Sequence, residues 1–134
     1  MKVAVAIILD KQGKVLITKR SMDLDHGGFW EFPGGKVEKD ELPAEALVRE
    51  TREEVGIDAL DYSFLGEIVH HYETKTVHLL AYVIQKYQGE ARCCESQLAL
   101  SWVNRSELKH FTFPAANLGI IEMVESFVCM QNGS

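Results

Sequence analysis

Cysteine is scarce in this chain of 134 residues, and the three present, Cys93, Cys94 and Cys129, form an odd set with no C-x-x-C spacing. That argues against a disulfide framework and a structural zinc site, and it fits a reducing cytoplasm. Positive charge is short as well, with 14 Lys and Arg against 20 Asp and Glu and a formal net charge of -6. Proteins that track a phosphate backbone carry a basic stripe, so a nucleic-acid polymer is not the expected partner. A small phosphorylated ligand stays open, because a metal ion can neutralise its charge locally. Long apolar runs are missing too. The opening MKVAVAIIL stops at Asp10 and Lys11 with no small-residue cleavage site after it, so it reads as a buried strand rather than a signal peptide. No stretch is long enough to span a membrane. No repeat, linker or low-complexity segment interrupts the chain, which at this length reads as a single domain over residues 1–134.

What is present concentrates between Gly34 and Ile57, GGKVEKDELPAEALVRETREEVGI. Pro43 suits a first helical turn and Gly56 a helix end, with Ala44, Leu47, Val48, Thr51 and Val55 as the buried stripe. Ala46 falls among the carboxylates, and Leu42 makes a poor N-cap. Glu50, Glu53 and Glu54 lie at i, i+3 and i+4, so a helix puts all three on one face. Bare, these charges repel. A hard divalent cation such as Mg²⁺ or Mn²⁺ reverses that argument and would bridge the phosphates of a substrate. A solvated acidic face is the plain alternative. Just upstream, Pro33, Gly34 and Gly35 read as a turn whose backbone N–H groups can approach an anion.

The flanking chain reads as support. Val3 to Leu9 and Val15 to Thr18, around DKQGK, suggest a β-hairpin, and Ser21 to Gly28 an irregular loop. Tyr62 to Tyr72 and Thr76 to Tyr87 suggest strands around a turn at Glu73 to Lys75. A polar stretch from Gly89 to Gln97 leads to a strand from Leu98 to Val103 and at most a helical turn at Ser106 and Glu107. From Pro114 or Ala115 to Met130, the spacing of Leu118, Ile121, Met123, Val124, Phe127 and Val128 predicts an amphipathic helix, with QNGS as a frayed end. The sum is an α/β (α+β) sandwich around a mixed sheet. His70 and His71 would point to opposite faces of a strand, and His26, His78 and His110 have no ligand spacing. Cys93-Cys94 reads as a loop pair with no neighbouring base. Trp30 and Trp102 read as core.

A Gly, five residues, Glu, seven residues, Arg-Glu, an aliphatic position, any residue, Glu-Glu, any residue, Gly and an aliphatic residue is the signature of the Nudix hydrolases. Gly35, Glu41, Arg49, Glu50, Glu53, Glu54, Gly56 and Ile57 resemble it, with Thr51 at the aliphatic position as the one departure. Thr18 to Arg20, FWEFPGGK at Phe29 to Lys36 and FPAAN at Phe113 to Asn117 extend the likeness to the MutT branch, which removes oxidised dGTP from the nucleotide pool.

The resemblance implies that the Gly35 backbone, Glu50, Glu53 and Glu54 hold divalent metal, Mg²⁺ or in its place Mn²⁺, with Glu95 completing the set. It implies water attack on an internal phosphorus of a nucleoside triphosphate, with Glu53 as general base and Glu54 as ligand or alternative base. Arg49 would orient the carboxylates and Glu41 assist. Gly34 and Arg20 with Lys75 would meet the phosphate or sugar side, Phe32 and Tyr72 would line the base pocket, and Asn117 would hydrogen-bond the base or simply cap a helix. Lys75 stands where the MutT pattern carries Arg, which loses a planar fork. The expected substrate is 8-oxo-dGTP. CTP or 5-methyl-dCTP is the rival, and a non-catalytic nucleotide sensor the alternative of another class. A monomer or weak dimer is expected.

Overall fold

The computed structural model describes residues 1–132, with side chains through Phe127. Seven strands divide into two sheets. A mixed four-stranded sheet has the order β4 (Gly34–Lys36), β1 (Lys2–Ile8), β6 (Thr76–Gln88) and β5 (Asp58–His71). In it β1 and β6 run parallel and the other pairs antiparallel. The second sheet is antiparallel, with β2 (Val15–Lys19) between β3 (Trp30–Glu31) and β7 (Ala99–Val103). Helix α1 (Pro43–Val55) follows β4, and α2 (Leu118–Asn132) closes the described chain after 3-10 turns at Arg105–His110 and Ala115–Asn117.

The unbroken apolar run of β1 has its cause in burial on both faces. Ala4, Ala6 and Ile8 face Ala46, Leu47 and Val55 of α1. Val5 and Ile7 face the other way, into a cluster with Ile120, Ile121 and Val124 of α2 and with Val15 and Ile17 of β2. The result is the expected helix, sheet and helix layering.

Several details differ from the sequence reading. β1 and β2 do not form a hairpin ladder; a single bridge, Leu9 to Val15, joins them, and each strand goes on to pair with two others. The DKQGK segment folds as its own turn, with Asp10 Oδ1 accepting from the Gln12 and Lys14 N–H groups at 2.9 and 2.8 Å. Gly34 and Gly35 form a strand rather than a turn, paired with Val5 and Ala4. Gly34 has φ +150°, and a Cβ there would strike the Ala4 carbonyl oxygen. β5 begins at Asp58, straight after the helix cap, rather than at Tyr62.

Helix α1 has the bounds expected of it and ends at Gly56, whose φ of 71° is left-handed. Leu42 offers no side-chain cap, and Glu45 Oε1 instead accepts the Leu42 N–H at 2.8 Å. The buried stripe is Ala46, Leu47, Thr51 and Val55, while Ala44 and Val48 are half-buried. Relative to expectation the helix is rolled toward the arc of Ala46, Glu50 and Glu54. The bare glycine backbone of β4 leaves room for that roll. Thr51 is buried, and its hydroxyl has no hydrogen-bond partner among the described residues.

In α2 the turn at Ala115–Asn117 shifts the phase, so Ile120 is buried and Leu118 is exposed, contrary to the expected stripe. Backbone helix continues through Gln131 and Asn132, and the frayed end expected at Gly133 and Ser134 lies outside the described residues, as does the Val128 side chain. Trp30 and Trp102 are half-buried against the two core clusters. His70 packs on Tyr72 and His78 pairs with Glu67. Among the described residues no helix is long and apolar enough to cross a membrane.

Candidate functional site

The roll of α1 brings its carboxylates against the glycine strand. Gly34 N–H donates to Glu54 Oε2 at 2.7 Å. The absent Cβ of Gly35 is filled by the Glu50 carboxyl, so a side chain at Gly35 would displace that carboxylate. Beside these contacts lies a cavity of about 260 Å³ whose walls include Arg20, Glu31, Gly35, Lys36, Glu54 and Glu95. Glu54 of the carboxylate helix and the distant Glu95 are thus brought to one cavity, with the Glu50 carboxyl against its Gly35 wall.

Arg49 organises one side of the cluster. Its Nε and Nη2 donate to the two oxygens of Glu41 at 2.8 and 3.0 Å, a bidentate grip. Nη1 donates to Glu50 Oε1 at 2.8 Å and to Glu53 Oε2 at 3.3 Å, and Nη2 also reaches the Lys36 carbonyl. The Arg49 bond, helped by the Glu38 N–H, holds the Glu41 carboxyl down to about 2, and Glu41 in turn raises the Arg49 pKa further.

The other side has the opposite balance. Burial pushes Glu54 up to about 8, against the pull of the Gly34 N–H and with help from the charges of Glu31, Glu50 and Glu95. Burial likewise raises Glu50, opposed by Arg49 and reinforced by Glu53 and Glu95. Glu31 is raised by burial despite Arg20, whose Nη1 meets its two oxygens at 2.9 and 3.1 Å. Glu53 differs from its neighbours. Its side chain is 51% exposed and lies along an outer depression with Val48 and Tyr62.

Among the described residues, no three acidic, His or Cys side chains converge tightly enough to grip an ion. The donor chemistry nonetheless fits one. Glu50, Glu54 and Glu95 are hard oxygen donors whose mutual repulsion a divalent cation would relieve.

A second cavity, about 120 Å³, shares Val3, Glu31 and Gly34 with the first and adds Phe32, Leu79 and Asn117. Phe32 is buried against Phe113, ring centroids 5.1 Å apart. Asn117 ends the 3-10 turn before α2, and its carboxamide makes no hydrogen bond among the described residues, so it does not act as a cap. Tyr72 and Lys75 stand at the β5–β6 turn, Lys75 Nζ 5.8 Å over the Tyr72 ring, and line neither cavity. Arg20 Nε is also tied to the Asp25 carbonyl at 2.8 Å. Two residues the sequence reading left out are Glu31, which lines both cavities, and Gln97, beside Glu95. Alternation in FWEF places Glu31 opposite Trp30 and Phe32, a signal that was there to read. No pattern singled out Gln97.

Comparison with known proteins shows the family to which the chain belongs. The chain is similar to the CTP pyrophosphohydrolase of Escherichia coli K12, 36% identical over 118 residues covering 88% of this chain and 87% of that one. It is similar to the 8-oxo-dGTP diphosphatase of the same organism, 32% identical over 121 residues, 90% of this chain and 93% of the other. A solved MutT structure, from a study of the Aliivibrio salmonicida and Vibrio cholerae proteins, superposes with a TM-score of 0.79 at 31% identity, covering 92% of this chain and 97% of that one. The NUDIX domain family matches residues 4–123, nearly the whole chain, and the protein belongs to the Nudix hydrolases.

Proposed function

We propose that this Nudix hydrolase is a Mg²⁺-dependent pyrophosphohydrolase that converts 8-oxo-dGTP to 8-oxo-dGMP and pyrophosphate, keeping oxidised guanine out of newly made DNA. Nudix hydrolases act on small-molecule nucleotides and generally need a divalent cation. The observation that carries the reading is the facing of Glu50 and Glu54 onto the Gly34–Gly35 backbone, with Glu95 on the same cavity and the Asn117 pocket adjoining it.

Glu50, Glu53, Glu54, Glu95 and the Gly35 backbone would hold the cation, Mg²⁺ with Mn²⁺ as a substitute. Bound there, it would draw charge from the phosphorus and acidify a water molecule. The chain's own groups do the rest. Arg49 orients the Glu50 carboxyl and opposes the effect of its burial, anchored by Glu41. The base is Glu53 or Glu54, and burial favours Glu54, whose Oε1 is not engaged by Gly34 and can take the proton of the attacking water. Arg20 and Lys36 flank the phosphate side, and Lys75 with Tyr72 would approach from the β5–β6 turn. Phe32 packs under the base and the free Asn117 carboxamide offers a donor and an acceptor to its edge.

A pyrimidine reading has its own support in the similarity to a CTP pyrophosphohydrolase. Pyrophosphate release with Mg²⁺, compared as kcat/KM for 8-oxo-dGTP, dGTP, CTP and 5-methyl-dCTP, decides between them. The highest value is expected for 8-oxo-dGTP. A higher value for either cytosine nucleotide would move the assignment to it, and tight binding with no release for any nucleotide would make the protein a sensor.

A further inference from the structure

The last carbonyls of an α-helix have no partner inside it. In α1 two of them are met by the loop between β6 and β7. Val55 O accepts from Arg92 N–H, and Glu54 O accepts from Cys94 N–H and from Gln97 Nε2, each at 3.0 Å. Arg92 and Cys94 use main-chain groups, which any residue but proline supplies. Gln97 uses its side chain.

That carboxamide works in two directions. While Nε2 donates to the Glu54 carbonyl, Oε1 accepts the Glu95 N–H at 3.0 Å, and the two partners together fix which end of the amide is oxygen. One side chain therefore bridges the main chains of two residues whose carboxylates line the same cavity. The Leu98 N–H bond to the Lys19 carbonyl, at 2.9 Å, then fastens the loop to β2.

We propose that Gln97 is a positioning residue of the hydrolytic site, tying the loop that carries Glu95 to the helix end that carries Glu54 so that both carboxylates meet the same cation. This rests on the metal-dependent reading of the site. Without the bridge the loop keeps its Arg92, Cys94 and Leu98 main-chain bonds, but the Glu95 N–H loses its acceptor, and presenting that carboxylate to a cation costs the ordering of the exposed segment around it.

Gln97→Met keeps the length of the side chain and removes both bonds. In the metal-free protein, hydrogen exchange at the Glu95 amide should accelerate with circular dichroism unchanged. Mn²⁺ binding, read from the spin-resonance signal of the free ion, should weaken about tenfold, the usual cost of losing a group that orients a ligand. Glu95→Gln alone should weaken binding by a similar factor, and adding it to Gln97→Met should cost less than twofold more, because the carboxylate is already misplaced. Mn²⁺ affinity within twofold of wild type, or full additivity of the two substitutions, would overturn the proposal. If the wild type releases pyrophosphate from no nucleotide while exchange and Mn²⁺ binding respond as described, the hydrolase reading fails and the positioning role stands.

Discussion

The two cavities share a wall at Val3, Glu31 and Gly34 and are otherwise built on different principles. Around the first, proposed to take the phosphates, nearly every charged group is held: Arg49 by Glu41, Glu50 by Arg49, Glu54 by the Gly34 N–H, and the Glu95 loop by Gln97. In the second, proposed to take the base, Phe32 is fixed by packing, while the Asn117 carboxamide has no partner among the described residues. The first arrangement spends its hydrogen bonds on assembling a charge cluster before any ligand arrives. The second keeps hydrogen bonds in reserve, and a buried-edge donor and acceptor left unpaired is what a pocket needs to discriminate between bases.

The largest effect should come from breaking the phosphate side at its most buried group. Glu54→Gln keeps the Gly34 bond and loses only the charge, and kcat should fall by about 10²–10⁴-fold with the fold intact. Glu53→Gln is the companion experiment, since the same helix face carries both. Steady-state rates across pH separate them. The variant that loses the acidic limb of the profile has lost the base, and a variant with near-normal turnover drops out of the mechanism.

Glu54, held on the Gly34 N–H, and Glu41, gripped by Arg49, also predict opposite responses to pH. Glu54 is raised from 4.5 to about 8, so in metal-free protein its proton stabilises the folded state fully below about pH 4.5 and is lost as pH rises through about 8. Stability in chelator should therefore decline from pH 5 to pH 9, by about 1–3 kcal/mol after allowance for solvent screening. Glu41, held near 2, stabilises above about pH 4.5 and loses that contribution as pH falls toward 2. Denaturant titrations of wild type and Glu54→Gln measure the first contribution by difference. A decline of equal size in both would locate it elsewhere. Saturating Mg²⁺ should flatten the wild-type decline, because the ionised carboxylate then has a counter-charge.

How much of this could be read beforehand follows from which forces leave a periodic trace. Helix α1 was legible to the residue, since Pro43, Gly56 and the spacing of its carboxylates are local facts. Its rotation was not. Ala46 was expected among the carboxylates and is fully buried, because the helix rolls onto β4, a strand that two glycines had disguised as a turn. The hairpin expected of β1 and β2 failed for a similar reason: apolar runs show that strands are buried, and are silent on which strands they pair with. The placement of Glu95 came through family resemblance, and the bridge that would hold it, a single glutamine in a polar loop, has no signature at all.

On the base side the expected loss is smaller and shows as selectivity rather than rate. Asn117→Ala should lower the ratio of kcat/KM for 8-oxo-dGTP over dGTP by about tenfold, the worth of one hydrogen bond to a buried base edge. The Mn²⁺ affinity of the protein should stay as it was. Unchanged discrimination would remove Asn117 from base recognition, and a parallel loss of metal affinity would mean that the two cavities are one site energetically.

The smallest effect isolates packing from chemistry within α1 itself. Thr51 lies between Glu50 and the Glu53–Glu54 pair in sequence, yet its side chain faces the sheet, fully buried, with a hydroxyl that meets no acceptor or donor among the described residues. An unpaired buried hydroxyl costs about 1–3 kcal/mol, and Thr51→Val removes it while keeping the branched shape. Helix propensity hardly changes between the two residues. Part of the gain is offset wherever the native packing has adjusted to the oxygen, so a stabilisation of about 1 kcal/mol is expected, with a rise in Tm of about 3–5 °C for a chain of this size. Turnover and Mn²⁺ affinity should be unaltered, because the substitution touches neither cavity. A destabilised Thr51→Val protein would mean that the hydroxyl has a partner in solution, and a stabilised but slower one would mean that the packed face of the helix and its carboxylate face move as a unit.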